Sequence, residues 1–174
     1  MNKLVILSGV PGSGKSYFSK TIKKIKNKHF YIISSDELRL LICGDQSSLE
    51  CEDLMWKMFI ELAKVYALDK EGVVILDATH VSSELRVNKA KELKKLFNET
   101  ILVMWNINKA TVFNQNFQRE HPIPPEALEK FIKIFELPTE KDREAFDKII
   151  VIENNDITPA IEALELHLDN SLTL

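Results

Sequence analysis

The chain has 174 residues, of which 45% are hydrophobic and 28% charged, with a formal net charge of −3 and an isoelectric point near 5.9. That length suits one domain with a core large enough to stand alone, and the mild acidity argues against tight, nonspecific nucleic-acid binding while leaving room for a local basic groove. No apolar run approaches the roughly 18 residues that span a bilayer, and Lys3 is followed by a short strand rather than a secretory apolar region. Cys43 and Cys51 form no CxxC pair, which argues against zinc and for two reduced thiols. The expectation is one domain over residues 1–174, cytoplasmic, with no membrane association, no obligate protein partner and no internal repeat.

The first element is the apolar run Leu4 to Leu7, of buried-strand type. It leads into GVPGSGKS, Gly9 to Ser16, which fits G-x-x-x-x-G-K-[ST]. Phe18, Ile22 and Ile25 then recur at helical spacing, so the motif lies between a strand and a helix, where its chemistry works. Glycines let the backbone wrap closely around phosphate, and the wrapped N–H groups with the helix N-terminus make an anion site. The cradle comprises Gly9, Val10, Pro11, Gly12, Ser13, Gly14, Lys15, Ser16 and Tyr17. Lys15 is expected to reach the β- and γ-phosphates and Ser16 to ligand magnesium, so ATP or GTP with Mg²⁺ is the implied cofactor.

The second strand is read at 29–35 and a long helix at 49–70, with Leu54, Met58, Leu62 and Val65 as its apolar stripe. The third strand is Val73 to Leu76. A helix over 83–97 starts from the capping pair Ser82-Ser83. The fourth strand is read at 101–107, followed by a helix at 110–120, the break HPIPP at 121–125, and a helix at 125–135. The fifth strand is 148–152, and a last amphipathic helix covers 158–168 with Pro159 in its first turn. Strands alternating with helices predict an α/β fold: a five-stranded parallel sheet covered on both faces, with a small helical lid at about 109–135. Ligands in such folds sit at the C-terminal strand ends.

Polar residues cluster at those ends. Strand two runs into S-S-D-E-L-R, placing Asp36 and Arg39 three apart on one helix face. Asp36 suits a general base for an acceptor hydroxyl, and Arg39 suits an anionic group of the acceptor or the transferred phosphate. The bland alternative is an N-cap and a solvated arginine. Asp77, after four apolar residues, suits magnesium, directly or through water, or else orients Arg39 or the acceptor; a strand-end cap is the alternative. Arg119 suits a lid cation over the transferring phosphate, or an exposed arginine favoured by a helix C-terminus. The lysine-rich stretches 20–28 and 89–96 read as solvated helix faces, and Trp56, Trp105 and most phenylalanines as core.

GVPGSGKS, ISSDELR and ILDATHVSSELR together resemble the P-loop kinase domain of the polynucleotide 5′-hydroxyl kinases, of the phage and bacterial RNA-repair type, from strand one to about Glu136. The resemblance implies that Lys15 and Ser16 serve ATP and Mg²⁺. It implies that Asp36 takes the proton from a 5′-hydroxyl, that Arg39 contacts the acceptor's phosphate, and that Asp77 and Thr79 lie beside the acceptor. Arg119 would be the lid arginine. Two positions depart from the family pattern: Gln115 stands where a first lid arginine falls, and His80 where asparagine is common. The chain has no N-K-x-D segment, which the resemblance associates with guanine. The expected function is ATP-dependent phosphotransfer to a hydroxyl, with the 5′-hydroxyl of DNA or RNA favoured. A small-molecule kinase acting on a nucleoside, sugar or other metabolite is the alternative, and a nucleotide-binding regulatory ATPase the second.

Overall fold

A computed structural model describes residues 1–24, 29–119 and 121–164. Five strands alternate with helices: β1 Lys3–Ser8, α1 Lys15–Lys24, β2 Phe30–Ser34, α2 Ser35–Cys43, α3 Glu52–Tyr66, β3 Val73–Asp77, α4 Ser83–Leu93, β4 Glu99–Trp105, α5 Lys109–Phe117, α6 Pro125–Ile134, α7 Glu140–Ala145, β5 Lys148–Ile152 and α8 Thr158–Ala163. All strand pairs are parallel, in the order β2-β3-β1-β4-β5.

β1 lies at the centre, and Leu4 to Leu7 are fully buried. The run is unbroken by polar residues because both sheet faces are covered. Alternation along the strand separates two cores. Leu4 and Ile6 pack with Met55, Phe59 and Leu93 on one face, while Val5 and Leu7 pack with Phe18, Ile22, Trp105 and Ile161 on the other. A third cluster, Val10, Val81, Val112 and Leu128, seats α5 and α6 against the loop after β1.

The register places Ser34 of β2 beside Asp77 of β3. Both strands therefore stop together, and their polar ends share one edge with the loop after β1. The chain's direction across the sheet reverses around β1, which is where open α/β sheets form their ligand crevice.

Several expected boundaries shift. The helix read at 49–70 spans Glu52–Tyr66, and its buried stripe is Met55, Phe59, Ile60 and Ala63, while Leu54 and Val65 are exposed. Two apolar stripes lie side by side on this helix, and contact with the sheet selects one of them. The helix at 83–97 ends at Leu93 and tightens into a 3₁₀ turn, Lys94–Leu96. β4 begins and ends two residues earlier than the 101–107 reading. α7 was not foreseen; Thr139 and Asp142 close a capping box at its start. Phe117 is exposed rather than core. Ile25, Glu120 and residues 165–168 of the last expected helix lie outside the described residues. Among the described residues no helix is long and apolar enough to cross a membrane.

Candidate active site

The loop after β1 has the backbone its glycines predict. Gly12 and Gly14 have φ of 81° and 106°, where a side chain is strained. A Cβ on Gly12 would lie 3.2 Å from the Val112 carbonyl oxygen, so α5 approaches this loop closely. Lys15 at the head of α1 is buried, and its ammonium donates to the carbonyls of Gly9 at 2.7 Å and Val10 at 2.9 Å. Burial pushes the Lys15 pKa down to about 8; Asp77 and Asp36 oppose that shift, and Arg119 adds to it. Three surrounding charges thus act on Lys15. Ser13 is buried, whereas Ser16 and Tyr17 are exposed at the start of α1. Gly9 N–H donates to the Thr79 carbonyl at 2.9 Å, tying the loop to the end of β3.

Asp77 is buried, and its Oδ2 accepts from Ser19 Oγ at 2.8 Å. That bond points it toward α1, not into a cap for the next turn. Burial raises its pKa, with Lys15 and Ser19 opposing. Ser19 was missed by sequence reading, although it lies one turn beyond Lys15 on the same helix. The hard oxygens of Ser16, in the first turn of α1, and Asp77, at the end of β3, are a donor set that suits Mg²⁺ completed by phosphate and water.

α2 is capped by Ser34, whose Oγ accepts from Glu37 N–H at 3.3 Å. The capping role considered for Asp36 therefore belongs to Ser34, and the Asp36 side chain is 53% exposed at the sheet edge. Arg39 is not solvated: its side chain is 14% exposed. Its Nη1 donates to Asp36 Oδ1 at 3.0 Å, its Nη2 to Glu52 Oε2 at 3.3 Å and its Nε to Glu52 Oε1. Glu52 also accepts from Trp56 Nε1 at 2.9 Å, and the Arg39 guanidinium lies 6.0 Å from the Trp56 ring centre. The hydrogen bond from Arg39 holds the Glu52 carboxyl below its ordinary pKa. Nothing local in the sequence pairs Glu52 with Arg39; the packing of α3 against α2 does.

His80 is 3% exposed, has a positive φ of 38°, and donates from Nδ1 to the Leu7 carbonyl at 2.8 Å. Burial pushes its pKa down to about 4, so the ring is neutral near pH 7. Its Nε2 is buried without a partner, as is Gln115 Oε1 on α5. Arg119 follows α5, partly buried, with its N–H bonded to the Asn116 carbonyl. Deeper in the fold, fully buried Arg86 pairs with Asp142 through two 2.9 Å bonds.

The glycine loop and Lys15 suit phosphate binding, and Asp36 and Asp77 stand at the neighbouring ends of β2 and β3. Comparisons agree at the level of fold. The chain is similar to Kti12 from Chaetomium thermophilum, solved with ADP-AlF3 (16% identity, TM-score 0.68, covering 92% of this chain and 94% of that one). It is similar to a sugar kinase from Janibacter sp. HTCC2649 (17% identity, TM-score 0.62, covering 95% and 96%). It also matches a chain of the Pnkp1/Rnl/Hen1 RNA repair complex (24% identity, TM-score 0.67), covering 84% of this chain and 46% of that one. The fold is that of the P-loop kinases, RNA kinases among them. The AAA domain model (AAA_33) matches residues 4–138, and the chain belongs to that family.

Proposed function

We propose that the chain is a single kinase domain that moves the γ-phosphate of ATP to a hydroxyl acceptor, with residues 109–135 as its lid. The observation that carries this reading is the Asp36–Arg39 pair, at 3.0 Å, on the sheet edge that also holds Lys15 and Asp77. Asp36 accepts the proton of the acceptor hydroxyl. The freed oxygen attacks the γ-phosphorus as the bond to the β-phosphate oxygen breaks, and ADP leaves. Lys15 and Arg119 stabilise charge on the transferring group. Ser16 and Asp77 would hold Mg²⁺, which would supply neutralisation of phosphate charge.

The acceptor we favour is the 5′-hydroxyl of a polynucleotide, DNA or RNA. The order and spacing of the three motifs and the likeness to the RNA-repair chain support it. The test is transfer of γ-labelled phosphate from ATP to 5′-hydroxyl DNA and RNA oligonucleotides, with Asp36→Ala as control. Label that disappears in the variant supports both the acceptor and the base. A labelled product unchanged in Asp36→Ala overturns the base.

One observation favours a small-molecule acceptor instead: two carboxylates already occupy the Arg39 guanidinium that would face a backbone phosphate. Likeness to a sugar kinase points the same way. Unlabelled oligonucleotides, with ADP released on addition of a nucleoside or sugar, would establish that reading. ADP release independent of any acceptor would make the protein a regulatory ATPase.

A further inference from the structure

Arg39 is the acceptor's expected anion contact, yet each of its three nitrogens already donates to a carboxylate. Among the described residues, Lys89 is a neighbouring cation with no carboxylate within ion-pair distance. Sequence alone reads it as part of a solvated lysine-rich face, but it turns from α4 toward α3, and its Nζ lies 5.1 Å from the Trp56 ring centre. Glu92, the acidic side chain that acts on it, pairs with Lys64 at 3.5 Å instead. Lys89 is partly buried, and burial lowers its pKa. A partly desolvated ammonium with three donors and no carboxylate in contact is costly until an anion arrives. The surroundings are held in place: Glu52 fixes both the Trp56 ring and Arg39, and the His80 ring lies 6.4 Å from that of Trp56.

We propose that Lys89, above Trp56, is a phosphate subsite of the acceptor site, so that the acceptor carries a phosphate near its reacting hydroxyl, as a nucleoside 3′-phosphate or a polynucleotide end does. This rests on the polynucleotide-kinase reading and adds the residue that binds the acceptor's anion.

The experiment measures binding and transfer separately. With ADP saturating the P-loop, a nucleoside 3′-monophosphate and its parent nucleoside are titrated while tryptophan fluorescence is followed. Trp105 is 1% exposed, so quenching reports on Trp56. The 3′-monophosphate is expected to bind roughly tenfold or more tightly than the nucleoside, as one charge-assisted contact provides. That preference should vanish in Lys89→Met and return in Lys89→Arg. Equal affinity for the two ligands, or an unchanged preference in Lys89→Met, overturns the subsite. Phosphate transfer from ATP to the same two acceptors is then compared. A Lys89-dependent binding preference without transfer keeps the subsite and overturns the kinase reading. Transfer indifferent to Lys89 overturns the subsite and keeps the kinase.

Discussion

Asp36 accepts a hydrogen bond from Arg39 at 3.0 Å, from one turn further along α2, so the candidate base and its cation move as one unit. Asp36→Asn preserves the shape but cannot take a proton. Transfer is expected to fall on the order of 10²- to 10⁴-fold, the usual contribution of a general base. Single-turnover rates with ATP bound would check this. A rate within a few fold of native would remove Asp36 from the chemistry.

Lys15 has a pKa near 8 because it is buried, with Arg119 adding to the shift. A phosphate beside it favours the charged form and raises that value. Nucleotide binding should therefore take up a proton at pH just above 8, and affinity should decline as pH rises through that value. Calorimetry in two buffers of different ionisation enthalpy reads the uptake directly. Arg119→Ala should raise the free-state pKa and shrink the uptake, while slowing transfer by about 10²- to 10³-fold.

His80 is buried neutral, with its pKa at about 4 against an ordinary 6.5. Between those values the unfolded chain binds more protons than the folded one. Stability is then full above about pH 6.5 and is lost as pH falls toward 4, by up to roughly 3 kcal/mol. Asparagine tolerates the left-handed backbone and does not titrate there. Urea unfolding across this range should show a shallower pH dependence in His80→Asn; an unchanged slope would place the titration elsewhere.

Arg86 and Asp142 are both fully buried. Arg86→Leu leaves a carboxylate without its counter-ion and should cost about 3–5 kcal/mol. In a domain of this size that lowers Tm by roughly 10 °C. Replacing both residues with leucine should recover much of the loss, because no charge is then left unpaired. Thermal unfolding of the single and double variants distinguishes this from simple loss of packing.

Short-range chemistry was legible from residues alone. The glycine frame, Lys15 and the apolar run before it specify a strand, a phosphate loop and a helix, since each depends on neighbours only a few residues away. The Ser82 cap is equally local. The Glu52–Arg39 pair was not legible, because two helices meet there only after folding. Nor was the choice of Met55, Phe59 and Ala63 over Leu54 and Val65. Lys89 read as solvated because spacing on a helix cannot reveal which neighbour covers it.

The amino-acid order by itself determined the alternation of strands and helices, the phosphate cradle and the polar residues at the strand ends, all matters of periodicity and local backbone preference. The tertiary structure decided the partners: which carboxylates occupy Arg39, that Asp77 bonds to Ser19, that His80 is neutral, and that Lys89 lies over Trp56. These depend on burial and on contacts between distant segments, and desolvation exists only once the chain has closed around them.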